Sequence, residues 1–319
     1  MVSGARKKPK ELAKSQTLCA FYDFAVSRIS FDYFGFLVMA EFARTFHNME
    51  VLHLVLVPAE GDGFHPNVLY DLKQKEWRLR NIVIPGLALI PGRTQLTICS
   101  SRSQAQEIFD KVRDPIFPER YMPDAPVAKW HCSWTTLYGA LGRDVQVLRS
   151  PAQALQYIKN WADTQKVGRG VVSITIRNAS FNKHKNTDAK IWAKVAHKLY
   201  EMGYFPILIP DTDIALLDPD DCFDGLRFMP EAAMNLELRM ALYEFSFLNL
   251  CMSNGIATIC HYNKYAKFIQ FLSGNYLVDN LQTEDDTGTP FGTTQPYLNH
   301  FQKMVWRQHT VENIVSEFQ

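Results

Sequence analysis

From Val171 to Asp213 the chain spells out a complete βαβ unit, and that unit constrains the fold more than any other stretch. Val171–Ile176 (VVSITI) is the continuous apolar run that a strand buried on both faces requires. Arg177 and the polar loop Asn178–Thr187 follow it. Thr187 or Asp188 then stands at a helix N-cap, Ile191, Val195 and Leu199 share one helix face, and Gly203 ends the helix as a C′ glycine. Phe205–Ile209 returns as a strand into Pro210-Asp211-Thr212-Asp213. Two strands joined through a helix in about 40 residues form a parallel pair. The class is therefore α/β.

The first half begins in the same way. Thr17–Phe24 is rich in β-formers, Phe34, Leu37, Val38 and Phe42 lie at helical spacing behind Asp32 at an N-cap position, and Val51–Pro58 is another buried strand. The Gly- and Pro-rich loop Ala59–Asn67 lies at that strand's carboxyl end, the edge where open α/β sheets bind ligands. Further along, Leu79–Pro91 and Leu96–Ser100 read as buried segments, and Ser103–Val112 as a helix. With 319 residues the chain divides into a basic tail (1–16), a first Rossmann-like domain (17–165) and a second (166–319), the break falling where QKVGRG interrupts the pattern.

Composition removes several functions. Hydrophobic residues make up 47% and charged residues 21%, which describes a soluble globular chain. A formal net charge of +1 gives no global basic field, so nucleic acid is excluded as the main partner. The six cysteines include no CxxC pair and suit a reducing cytoplasm. In the tail, Arg6, Lys7, Lys8 and Lys10 could make weak contact with an anionic membrane surface, although such runs are usually only solvated. No HExxH, GxxxxGK[ST], GxSxG or full GxGxxG occurs, which leaves zincin, P-loop, hydrolase-elbow and dinucleotide readings without support.

Asn235–Cys260 (NLELRMALYEFSFLNLCMSNGIATIC) carries the candidate ligand site: a helical stripe, a short apolar strand and a stop at Ser253-Asn254-Gly255. Asn254-Gly255 has two readings, a type I′ hairpin or a loop whose free amides at a helix start hold phosphate. The stripe that runs straight into the strand, and a further apolar run at Lys267–Leu272, favour the loop. Arg177, at a strand end, could grip a phosphate with two donors or make an ordinary salt bridge. Asn235 and Arg239 lie one helical turn apart and join the candidates, with Glu237 and Glu244 on an adjoining face. Asp32 is either a helix cap or a general base. Asp23 and His65 are lesser candidates for the base, and Arg28 stands with His65 on the acceptor side.

This layout resembles the GT-B glycosyltransferases, and within them the heptosyltransferase-like branch. FAVSRISFDYFGFLVMAEFAR (Phe24–Arg44) matches that branch's loop with a catalytic Asp, at Asp32, and LNLCMSNGIATIC matches its late phosphate loop, at Ser253–Ala257. Phe31 replaces that branch's Gly, and Ser253-Asn254-Gly255-Ile256 lacks its acid and its Pro. The resemblance implies two Rossmann-like domains facing a cleft and transfer of a sugar from a nucleotide sugar to a glycan or other hydroxyl acceptor. It further implies inversion, without metal or cofactor. The Asp211-Thr212-Asp213 run fits the letters of a metal motif, yet in this layout it caps a loop. A nucleotide-sugar epimerase or hydrolase of the same fold, and a non-catalytic binding module, are the alternatives.

Overall fold

The computed structural model describes residues 16–66, 69–112, 115–126, 133–179, 183–272 and 287–318. The first half supplies β1 (Thr17–Asp23), α1 (Tyr33–Phe46), β2 (Val51–Val57), α2 (Leu72–Arg78), α3 (Ile84–Gly86), β3 (Arg93–Ile98), α4 (Arg102–Lys111) and β4 (Ile116–Phe117). Two helices, α5 (Ser133–Ala140) and α6 (Ala152–Asp163), lead to β5 (Val171–Thr175), α7 (Ala189–Glu201), β6 (Phe205–Ile209) and β7 (Arg227–Phe228). The chain then runs through α8 (Pro230–Met234), α9 (Leu236–Phe245), β8 (Leu248–Met252), α10 (Thr258–His261), β9 (Phe268–Phe271), β10 (Gln302–Val305) and α11 (Val311–Phe318).

The strands form two parallel sheets, one four-stranded in the order β3-β2-β1-β4 and one six-stranded in the order β10-β9-β8-β5-β6-β7. Strand alternation explains how each sheet is covered. On β1, Leu18, Ala20 and Tyr22 pack with α1, whereas Cys19 and Phe21 point to the other face, where Ala105 of α4 and Tyr121 lie. The larger apolar cluster runs without a break from β1 and α1 to Met240, Ala241 and Leu242 of α9, so the two halves share a core. Although α6 precedes β5, it packs beside α9 and brings Trp161 against Phe205 of β6 (ring centroids 6.3 Å apart).

The βαβ unit forms as its local signals require. Of the two cap candidates Asp188 does the capping, accepting the Ile191 amide at 3.1 Å, and Gly203 takes φ +86°. The hairpin reading of Asn254-Gly255 is overturned, because β8 and β9 run parallel. The buried segment Leu79–Pro91 is helical as far as Leu89: α2 continues through one π turn, Leu79–Val83, into α3 and a closing 3₁₀ turn, Leu87–Leu89. The span Gln302–Phe318, whose apolar residues suggest one helix, splits in two. Gln302–Val305 becomes a strand because it can pair with β9, and the Gln302 side-chain Nε2 donates to the carbonyls of Asn263 (2.7 Å) and Ala266 (2.9 Å).

Candidate functional site

The loops after β1, β5 and β8 leave the carboxyl ends of their strands, and those after β1 and β8 meet where Phe31 lies against Gly255. Asp32 occupies the N-cap position of α1 but does not cap it: its φ and ψ, −59° and −21°, are already helical, and its carboxylate accepts the Ser30 hydroxyl (2.9 Å) instead of an amide. A cap needs an extended backbone to swing its oxygen over the first turn. The Asp32 side chain is exposed. Just before it, Phe31 crosses to the second half and lies on Gly255, where an added Cβ would stand 2.6 Å from Phe31 Cδ2.

Two further first-half residues line this crossing. The Arg78 guanidinium lies over the Tyr70 ring at 3.9 Å and over the Phe31 ring at 5.8 Å. Tyr70 in turn is close enough to Arg177 to act on its charge. Neither Arg78 nor Tyr70 stands out in the sequence, since an Arg late in a polar helix reads as solvated. Phe31 did leave a signal, as a bulky ring where the resembling pattern has Gly.

On the opposite side Arg177 is buried, and its backbone amide donates to Thr187 Oγ1 (2.7 Å) while its guanidinium donates to Asn186 Oδ1. Burial lowers its pKa, and Asp211 and Tyr70 act in the other direction. Asp211 caps the turn after β6, taking the Thr212 amide, and ties in the Asn178 amide (both 2.8 Å).

The loop after β8 is narrower as a binding surface than its sequence suggests. Ser253 donates its amide to the Phe271 carbonyl (3.0 Å), and Asn254 spends its side chain on the Ala257 amide (2.9 Å). The amides of Asn254, Gly255 and Ile256 have no acceptor among the described residues, and they are the donors left for an anion. Behind the loop lies Arg239, 6% exposed, with Nε and Nη2 buried and without a hydrogen-bond partner among the described residues. Its charge acts on Tyr243, Cys251 and Cys260, which puts it among α9, β8 and α10. Burial nonetheless dominates at Cys251, pushing the thiol up to about 12.

Other candidates have structural duties. Asn235 caps α9 by accepting the Leu238 amide (3.0 Å). Glu244 binds Ser150 through its amide (2.9 Å) and hydroxyl (2.7 Å) and also takes Asn263 Nδ2. Asp23, 2% exposed, is fully occupied by Arg102 (two bonds of 2.9 Å), the Tyr121 hydroxyl and the Ala25 amide (both 2.8 Å), so it offers no lone pair for a base. Arg28 is exposed, and its carbonyl accepts the Tyr22 hydroxyl (2.6 Å). His65 is half-buried in the loop after β2. Beside that loop a cavity of about 560 Å³ opens between Ala25, Glu60, Phe64, Lys75, Arg102 and Asp124. Lys75 and Asp62 pair at its wall (2.8 Å), which holds the Asp62 carboxyl below its usual range.

Among solved structures the chain is similar to the E. coli ADP-heptose lps heptosyltransferase II, at 13% identity and a TM-score of 0.56, covering 95% of this chain and 97% of that one. It is also similar to the glycosyl transferase family 9 protein from Veillonella parvula, at 9% identity and a TM-score of 0.51, covering 94% and 95% of the two chains. No family model matches the sequence, and no curated protein sequence does. The likeness spans both halves, and the fold is that of the GT-B glycosyltransferases, two Rossmann-like domains facing a cleft.

Proposed function

We propose that the protein is a glycosyltransferase that moves a sugar from a nucleotide-sugar donor, held by the second half, to a hydroxyl acceptor presented by the first. One contact carries the reading: Phe31 lies on Gly255, so Asp32, the next residue, stands at the loop that keeps three unspent amides. A base and an anion-binding loop meet at one cleft edge. The solved structures of the same fold support a nucleotide-activated donor, one of them being an ADP-heptose enzyme.

In this reading the acceptor hydroxyl attacks the anomeric carbon of the donor while the Asp32 carboxylate takes its proton. The bond between that carbon and the terminal phosphate oxygen breaks, and the diphosphate leaves with the electron pair. Arg177 and the amides of Asn254, Gly255 and Ile256 meet the charge that builds on the leaving group, with Arg239 adding a fixed positive field from behind. Such preorganised donors are usually the largest electrostatic contribution to catalysis. A single displacement inverts the anomeric centre, and the leaving group is neutralised by the side chains and amides named here, without a metal. The 560 Å³ cavity beside Lys75 and Arg102 is the natural acceptor site, since it opens on the same strand edge.

Incubating the protein with a panel of nucleoside diphosphate sugars, with mass detection of the products, tests the assignment. One donor should release its nucleoside diphosphate, water taking the sugar in the absence of an acceptor, and Asp32→Asn should reduce that release to background while still binding the donor. Wild-type protein that consumes none of the donors, or an Asp32→Asn variant of unchanged turnover, contradicts it.

A further inference from the structure

Away from the cleft, the end of α1 and the outer face of α5 form an exposed apolar surface. Trp134, Leu137 and Leu141 recur at helical spacing and are 50%, 53% and 66% exposed, and Phe46 is 66% exposed. Phe42 joins the two helices, its ring 4.9 Å from that of Tyr138 and 6.2 Å from that of Phe46. Exposed apolar side chains grouped in this way mark a place where a partner or a membrane removes them from water.

Charge decides between the two. Residues 42–48 and 133–143 contain no Asp or Glu, and they carry Arg44, His47 and Arg143. The neighbouring acids are each paired with a base, Glu41 with Arg44 (2.7 Å), Glu50 with Arg93 (3.3 Å) and Asp144 with Lys264 (3.9 Å). Gln16 enters the fold at this edge, where its carbonyl accepts the amides of Glu50 (2.8 Å) and Val51 (3.0 Å), just past Phe46. The preceding residues 1–15 carry Arg6, Lys7, Lys8, Lys10 and Lys14 against a single acid, Glu11. Covalent geometry allows that segment to reach up to about 50 Å from Gln16, enough to lie anywhere around the patch.

We propose that this face docks on an anionic lipid bilayer, with the α5 stripe and Phe46 at the headgroup boundary and the basic segment supplying the electrostatic attraction. One signal of each kind is the combination that holds a protein at a membrane surface. No described helix is long and apolar enough to cross a membrane. The inference stands on this surface and does not depend on the transferase reading.

Co-sedimentation of the full chain with vesicles of phosphatidylcholine, alone or mixed with phosphatidylglycerol, tests it. Binding should require phosphatidylglycerol and disappear at high salt. Leu137→Ser with Leu141→Ser, and separately Arg6→Gln with Lys7→Gln, Lys8→Gln and Lys10→Gln, should each weaken binding by about tenfold or more without lowering the melting temperature. Equal binding to both vesicle types, binding to neither, or a variant that binds like wild type overturns the proposal. A concentration-dependent dimer that the leucine variant abolishes assigns the face to a second copy of the chain, and equally overturns it.

Discussion

The ring of Phe31 rests on Gly255, so closely that a methyl group there would stand 2.6 Å from Cδ2 and 3.2 Å from Cβ and Cγ. Cβ is fixed by the backbone, so turning the ring aside relieves only part of the clash. Gly255→Ala therefore has to push the loops after β1 and β8 apart, at about 1–3 kcal/mol by the usual measure of overpacking. Combining it with Phe31→Ala should recover most of that loss. A double-mutant cycle on thermal unfolding reads the coupling, and additive effects would place the ring elsewhere.

Arg239 separates stability from binding. Its Nε and Nη2 are buried without partners among the described residues, and an unsatisfied donor costs about 1–3 kcal/mol. Arg239→Met keeps the stem and removes that cost, so the variant should melt at the same or a higher temperature. It should also bind nucleoside diphosphates more weakly, by about tenfold, because the field behind the loop is gone. A variant that loses stability and keeps its affinity would show that the guanidinium serves the core alone.

The two first-half aspartates should respond in opposite ways to the same change. Asp23 is 2% exposed and holds four hydrogen bonds, and removing its charge leaves Arg102 uncompensated. Asp23→Asn should cost about 3–5 kcal/mol of stability in chemical denaturation. Asp32 is exposed and caps no amide, so Asp32→Asn should leave the denaturation midpoint within experimental scatter and remove sugar transfer.

Acid should weaken the protein through His261. This ring is buried, stacks on Phe268 with centroids 5.0 Å apart, and bonds Gln270 (2.8 Å), and burial lowers its pKa from 6.5 to about 4. The native state favours the neutral ring, so its contribution is complete above pH 6.5 and is lost as pH falls towards 4. The full loss is roughly 3 kcal/mol. His53 and His309 are also lowered by burial and act with the same sign. The comparison that isolates His261 is with His261→Asn, whose stability should fall less steeply between pH 6.5 and 4; parallel curves would contradict the assignment.

Much of the fold was legible because its signals are local. Asp188, the Ile191–Leu199 stripe and Gly203 fix a helix between two apolar strands whatever else the chain does, and the run after Leu248 could be ordered as a parallel strand from the helix that feeds it. The carboxyl ends of β1, β5 and β8 follow from that topology, which is why Asp32, Arg177 and the Ser253–Gly255 loop could be named as candidates. Long-range pairing was not legible. Gln302–Val305 forms a strand only because β9 offers it an edge, and the amide of Ser253 is spent on Phe271 for the same reason. Arg78 and Tyr70 matter only where the halves meet, and no spacing along the chain encodes that meeting.

In the proposed reaction Arg177 and the loop after β8 grip the phosphates of a nucleotide sugar. Calorimetric titration of wild type and Arg177→Met with the nucleoside diphosphate sugar that the wild type consumes measures that grip. The wild type should bind saturably and the variant at least about tenfold more weakly, a loss of about 1.4 kcal/mol or more. Equal affinity in a variant that melts like the wild type would contradict it.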